Sequence, residues 1–360
     1  METGGNCYGM LKINDDTLHQ AAELISGGSL VAFPTETVYG LGGDAFNPTA
    51  LAKIFDAKGR PRFDPLIVHI AELEALETVA DLGALDTAAR ERLTMLTERF
   101  WPGPLSLILP KQRAVPDLAT SRLPTVAVRL PAHDAARRLI QLSTGAIAAP
   151  SANPFGYLSP TRAEHVLEML GEKAGLILDG GPSQVGLEST VLDLCHDPPR
   201  ILRPGGVPKE AIEALIGSVV TDAIAADSAT DPGGMVSPGL LNSHYAPRTP
   251  LVIHNLETLC NEPGLEGMAL LFFDGASRDE WLSAQGQLER IATVLVLSET
   301  GDMLEAAARL FEALHELDAG GARLILAQLA PEKGLGAAIN DRLRRAAAQK
   351  IHCFIGPQGI

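Results

Sequence analysis

The chain has 360 residues, enough for about two domains, and 46% of them are hydrophobic, ample for sizeable cores. It carries 44 acidic against 29 basic residues, so as a whole it repels a phosphate backbone, whose binding needs clustered lysine and arginine. No run approaches the roughly 18 uncharged apolar residues of a membrane span, and the stretch METGGNCYGMLKINDD lacks the basic and apolar regions of a signal peptide, so a cytoplasmic location without a membrane partner is expected. Cys7, Cys195, Cys260 and Cys353 are widely separated and show neither C-x-x-C spacing nor a disulfide framework; each reads as a free thiol.

In chain order, 16–25 has helical character and Gly27-Gly28 ends it. The run 29–33 reads as a buried strand that Pro34 breaks, just where Thr35, Glu36, Thr37 and Tyr39 follow. Asn47-Pro48 opens a helix as an N-cap with proline at the first helical position, and Gly59 closes it. Lys58, Arg60 and Arg62 cluster at that stop, before an apolar strand over 66–68 that ends at His69. Cations at a helix C-terminus are ordinarily dipole partners, so the residues alone leave that reading at least as good as a catalytic one. Arg137-Arg138 falls on a helix-like stretch and reads as a solvated face. Thr161-Arg162-Ala163-Glu164 has the form of a capping box for a helix through Met169, and 175–179 and 190–194 read as strands. The first part of the chain is therefore mixed α/β.

The composition breaks at 222–250, dense in glycine, proline and serine, which marks a domain boundary and either a flexible linker or a functional loop. Beyond it, apolar strands over 251–253, 269–273, 293–297 and 323–328 alternate with helical patterns over 303–317 and 337–348, the last basic and amphipathic. That order predicts a smaller Rossmann-like parallel sheet. Gly334 and Gly336 read as a turn, since no G-x-G-x-x-G follows a strand there.

Several motifs recur in one order: Lys58-x-Arg60 within the polar window 29–70, Thr-Val-Ala-Val-Arg at 125–129, Ser151-x-Asn153, Glu-Ser-Thr-Val at 188–191, Ile-Leu-Arg-Pro-Gly at 201–205, Ser237-Pro238-Gly239 and His244-Tyr245-Ala246-Pro247. Together they resemble the YrdC-like family and, within it, the long two-domain form of threonylcarbamoyl-AMP synthase. The resemblance implies a YrdC-like mixed α/β catalytic domain over 1–221, a linker and active-site lid over 222–250, and a Rossmann-like C-terminal domain over 251–360. It implies a nucleotidyltransferase that joins L-threonine, bicarbonate and ATP into threonylcarbamoyl-AMP and pyrophosphate. The product would pass to a tRNA threonylcarbamoyl transferase complex, for tRNA modification next to the anticodon.

No G-x-x-x-x-G-K-[ST] occurs, so phosphates would be held by side-chain cations and hydroxyls. Lys58 suits a mobile point charge, Arg60 a planar fork, and Arg203 is a third cation. By resemblance, Lys58, Arg60, Ser151 and Asn153 carry the chemistry. Arg60, Asp64, Thr125, Ser151, Ser159, Arg203, His244 and Tyr245 line the ATP side, and Thr37, His69, Arg129 and Ser189 hold threonine, Arg129 taking its carboxylate. Asp64 is expected to contribute backbone contacts or water rather than its charge. Mg²⁺ is expected on the phosphates, with no protein ligand named. Serine beside proline is also ordinary turn chemistry, and His69 reads equally as a satisfied strand-end histidine.

Two other readings compete. An RNA-binding module is opposed by the acidic total and an aromatic content of only 4%, which leaves direct tRNA contact weak or absent. A carbamoyl-transfer domain of the hydrogenase-maturation type would carry zinc-binding C-x-x-C pairs, which this chain lacks.

Overall fold

The computed structural model describes residues 9–221, 245–254, 266–284 and 291–348. The chain divides into two compact units, Met1–Phe155 with Ser159–Leu240 and Gly156–Leu158 with Leu241–Ile360.

In the first unit, β1 (Gly9–Lys12), β2 (Val31–Phe33), β3 (Gly40–Asp44), β4 (Ile67–Ile70), β5 (Leu105–Pro110), β6 (Thr125–Arg129), β7 (Ala146–Ala148), β8 (Leu176–Asp179), β9 (Thr190–Asp193), β10 (Arg200–Arg203) and β11 (Val220–Thr221) form one mixed sheet. Their order is β1-β8-β2-β3-β7-β4-β6-β5-β9-β10-β11. The register at its centre positions the chemistry. His69 of β4 lies opposite Arg129 of β6, Arg129 opposite Ser106 of β5, and Ser106 opposite Val191 of β9. Cross-strand partners share a face, so these side chains form one row. The same face carries a small apolar floor of Ile67, Ala127, Ile108, Val191 and Leu202, while Val68, Val128, Leu107 and Leu192 on the other face join the main core.

Local signals explain the helices that frame this sheet. The helix Asp15–Ser26 starts from Asn14, whose side chain accepts from Thr17 N while Thr17 caps back. It buries Leu18, Ala21, Ala22 and Ile25 in a cluster shared with the helix Asp134–Leu142. The strand expected over 29–33 begins only at Val31, because Ser29 N–H returns to Leu24 O and finishes the preceding helix. The strand expected to end at His69 runs on to Ile70, which pairs with Ala146. The capping box expected at 161–164 does not form. The helix is Ala163–Leu170 with Arg162 at its N-cap and no side-chain cap; the Thr161 N–H, which a capping box would give to Glu164, donates to His165 Nδ1 instead. Arg138 is exposed and Arg137 pairs with Asp134, in keeping with a solvated face.

In the second unit, β12 (Leu251–Ile253), β13 (Met268–Asp274), β14 (Thr293–Ser298) and β15 (Leu324–Ala327) form a wholly parallel sheet in the order β12-β15-β13-β14. The helix Met303–Ala319 buries Leu310, Phe311, Leu314 and Leu317. The helix Gly336–Ala347 departs from the basic amphipathic pattern, because Arg342 is fully buried with its guanidinium 5.0 Å from the Tyr245 ring centroid. Gly334 does occupy a turn, at φ +57°. Among the described residues, no helix is long and apolar enough to cross a membrane.

Candidate active site

The helix Pro48–Lys58 is fixed at both ends by its own sequence. Asn47 accepts from Thr49 N and Ala50 N, Pro48 occupies the first turn, and Gly59 closes the helix at φ +62° in the left-handed region. This delivers Lys58 and Arg60 to one place. Lys58 is not a solvated dipole partner: only 4% exposed, its Nζ donates to Ser151 O at 2.6 Å and to both the carbonyl and Oδ1 of Asn153. Burial first, and then Arg60, push its pKa well below the ordinary lysine value. Its three acceptors oppose that by holding the ammonium protons, and an arriving anion would raise the pKa again.

Arg60 donates through Nε to Asp64 O at 3.0 Å and through Nη2 to Pro65 O at 2.8 Å, with its guanidinium 6.0 Å from the Phe155 ring centroid. The Asp64 carboxylate, wholly buried, forms an ion pair with Arg60 Nη2 at 2.8 Å. Burial raises the Asp64 pKa, opposed by Arg60, then Lys58 and Arg203. The Asp64 carbonyl is taken by Arg60 within the protein, and its carboxylate pairs with Arg60 and feels the charges of Lys58 and Arg203. Arg203 donates to Ser189 O at 3.0 and 3.2 Å and to Ser189 Oγ at 3.2 Å. The Pro204-Gly205 turn that holds it packs so closely on 188–190 that a Cβ at Gly205 would lie 2.4 Å from Glu188 O.

Ser189 links this cluster to the central row, since its Oγ lies 2.7 Å from Ser106 Oγ. Arg129 there donates to Thr37 Oγ1 at 2.8 Å and to Gly103 O at 3.1 Å, and its Nη2 is 2.6 Å from Glu36 Oε1. Thr37 is locked by a 2.7 Å contact with the Thr35 hydroxyl. His69 stands edge-on to Phe33, and its buried Nδ1 has no hydrogen-bond partner among the described residues. Burial, with Arg129 adding to it, pushes its pKa to about 3, so the ring is neutral at physiological pH.

That depression has a stability consequence. An unfolded chain takes up the His69 proton near 6.5 while the folded one resists to about 3, so stability is lost as pH falls through that window, by at most about 1.4 kcal/mol per pH unit from this group. His165, lowered mainly by burial to about 4, adds to the same slope. His69→Gln is expected to flatten the dependence of the urea midpoint on pH between 7 and 4 relative to the parent. Parallel curves would show that His69 does not carry it.

The other expected residues are spread more widely. Ser151 contributes its carbonyl to Lys58, and Asn153, buried, its carbonyl and amide oxygen. Thr125 opens β6 on the face that carries Ala127 and Arg129. Ser159 donates to Glu188 Oε1 at 2.5 Å. Tyr245 belongs to the second unit, buried against Phe311 and Arg342, and His244 lies outside the described residues together with 222–243 of the expected linker and lid. Cys195 is half-buried with a thiol pushed up to about 12, chiefly by burial; Cys7, Cys260 and Cys353 lie outside the described residues.

Glu36, Ser106 and His133 had no expected role. Glu36 was legible as an acid between two threonines, and Ser106 as the one hydroxyl in an apolar strand; His133 gave no local signal.

A family model described as telomere recombination matches residues 23–205, and one described as the threonylcarbamoyl-AMP synthase C-terminal domain matches residues 207–348. The threonylcarbamoyl-AMP synthase of Pyrococcus abyssi is 42% identical over 349 residues, covering 94% of this chain and 96% of that protein. The chain belongs to the threonylcarbamoyl-AMP synthase family. The Bacillus subtilis threonylcarbamoyl-AMP synthase is 41% identical over 352 residues, covering 95% of this chain and 96% of its own length. The crystal structure of P. abyssi Sua5 complexed with L-threonine matches with a TM-score of 0.81 at 40% identity, over 94% of this chain and 97% of that one. Membership makes this an enzyme of the nucleotidyltransferase class with the mixed α/β fold of its family. The match through 207–348 is to the C-terminal domain of threonylcarbamoyl-AMP synthase, which favours this family over the hydrogenase-maturation alternative.

Proposed function

We propose that the enzyme converts L-threonine, bicarbonate and ATP into threonylcarbamoyl-AMP and pyrophosphate, the product then serving a tRNA threonylcarbamoyl transferase. The observation that carries this reading is the continuity of two clusters: three cations that act on Asp64, with Arg203 bonded to Ser189, Ser189 to Ser106, and Ser106 opposite an arginine beside two threonine hydroxyls. The first suits a polyphosphate, the second an amino acid's carboxylate and hydroxyl. L-threonine in the P. abyssi Sua5 crystal structure supports the same assignment.

In this scheme the carbamate oxygen of N-carboxythreonine attacks the α-phosphorus of ATP, the bond to the bridging oxygen breaks, and pyrophosphate leaves with the electron pair. No protein nucleophile is needed. Lys58, Arg60 and Arg203 hold the two anions together and stabilise charge moving to the leaving group, which is positioning plus electrostatics. Mg²⁺ would arrive on the phosphates and neutralise part of their charge, and the buried Asp64 carboxylate, without an aligned hydrogen-bond donor among the described residues, is a protein group that would fit it.

The test is pyrophosphate release with ATP, Mg²⁺ and each amino acid in turn, with and without bicarbonate. Release should require both L-threonine and bicarbonate. Equal release with unrelated amino acids, or none at all, would sink the assignment.

A further inference from the structure

Carbamate formation releases a proton that none of the side chains assigned above receives. A free amino acid carries its amine as ammonium at neutral pH, and only the neutral amine has a lone pair for carbon. Lys58, ringed by three acceptors, is committed as a donor. His69 is neutral, but it stands beside Arg129, whose charge opposes a second cation. Glu36 differs from both. Its side chain is buried, 7% exposed, and neither carboxylate oxygen accepts a hydrogen bond among the described residues, although Oε1 lies 2.6 Å from Arg129 Nη2. Arg129 balances the charge, but the carboxylate oxygens lack an aligned hydrogen-bond donor among the described residues, so an incoming N–H group completes them.

The carboxylate is also rigidly placed. Val185 N donates to Glu36 O at 2.7 Å, Ser183 Oγ to Thr35 O at 3.1 Å, and the Thr35 and Thr37 hydroxyls pair beside it. The charged and titratable groups facing it are Arg129 from β6 and His133 at the start of the helix Asp134–Leu142; burial holds His133 below its ordinary range, opposed by Glu36 and then Asp134. In an α-amino acid one carbon separates carboxylate from ammonium. A substrate carboxylate that takes over Arg129 Nη2 therefore brings its ammonium against Glu36.

Resting on the proposed reaction, we propose that Glu36 is its general base, receiving the proton of the threonine ammonium as the amine attacks the bicarbonate carbon. Threonine ammonium, bicarbonate and the Glu36 carboxylate give N-carboxythreonine, water and the Glu36 carboxylic acid. The nitrogen lone pair forms the N–C bond, and one oxygen of bicarbonate leaves as water. Glu36 is thus a counter-ion for Arg129 before substrate arrives and a proton acceptor afterwards.

The experiment is pyrophosphate release by the full chain as a function of pH, comparing the parent, Glu36→Gln and Glu36→Asp. Glu36→Gln should lose roughly 100- to 10,000-fold at neutral pH, the range typical of a missing general base. The deficit should shrink steadily as pH approaches the amine's own pKa at high bicarbonate, where carbamate forms without help. Glu36→Asp keeps the carboxylate and should lose less, with a parent-shaped profile, so the inference remains testable if the glutamine variant does not fold. A deficit equal at every pH would mean that Glu36 only positions Arg129 and would overturn the inference alone. A parent with no threonine- and bicarbonate-dependent release would overturn the underlying reaction as well.

Discussion

Lys58→Ala, Arg60→Ala and Arg203→Ala should each lower pyrophosphate release by about 100- to 1,000-fold, the cost of one lost interaction that matters most in the transition state. The three do not fail identically elsewhere. Lys58→Ala also leaves the Ser151 and Asn153 carbonyls without their buried donor, so a stability loss of about 1–3 kcal/mol should accompany it. Arg60→Ala strands the buried Asp64 carboxylate beside fewer cations, so its urea midpoint should fall too, while Asp64→Asn on the same background should restore part of it. Turnover assays and urea titrations run side by side separate the two effects. Near-parent turnover in any single variant removes that cation from the reaction.

Arg129 should show a split between substrates. On the proposed assignment of Arg129 to the threonine carboxylate, removing that charged donor costs about 1.5–3 kcal/mol, which raises the KM for threonine roughly 10- to 150-fold. The KM for ATP should move by far less, because Arg129 meets the cation cluster only through Ser106 and Ser189. Arg129→Ala leaves Glu36 buried without its counter-charge and is expected to destabilise the fold by about 3–5 kcal/mol. Arg129→Lys is therefore the cleaner variant, since it keeps the charge and loses the fork. An equal rise in both KM values would contradict the assignment of Arg129 to threonine.

What could be read from the sequence was what short-range chemistry decides. Asn47, Pro48 and Gly59 lie within a dozen residues of one another, and the helix they bound came out at its expected ends. The fate of Lys58 did not, because its burial depends on carbonyls from a loop that begins at Ser151, on another part of the chain. Thr161 had every local mark of a cap and failed, since the helix starts one residue later from Arg162 and the Thr161 N–H goes to His165. Ser106 and Glu36 stood out locally as a hydroxyl in an apolar strand and an acid between two threonines, but their partner Arg129 lies far away in sequence and only the fold brings it to them. Arg342 is the same lesson in the second unit: nothing in a basic helical pattern distinguishes the one arginine that lies under an aromatic ring.

The row His69–Arg129–Ser106 has an evolutionary corollary. Because alternate residues of a strand face opposite ways, inserting or deleting one residue within β4, β5 or β6 would exchange that strand's reactive side chain for a core valine or leucine. Point substitutions at neighbouring positions leave the row standing. Length changes inside these three strands do not, so drift in this family should accumulate as insertions in the loops and as replacements in the sheet.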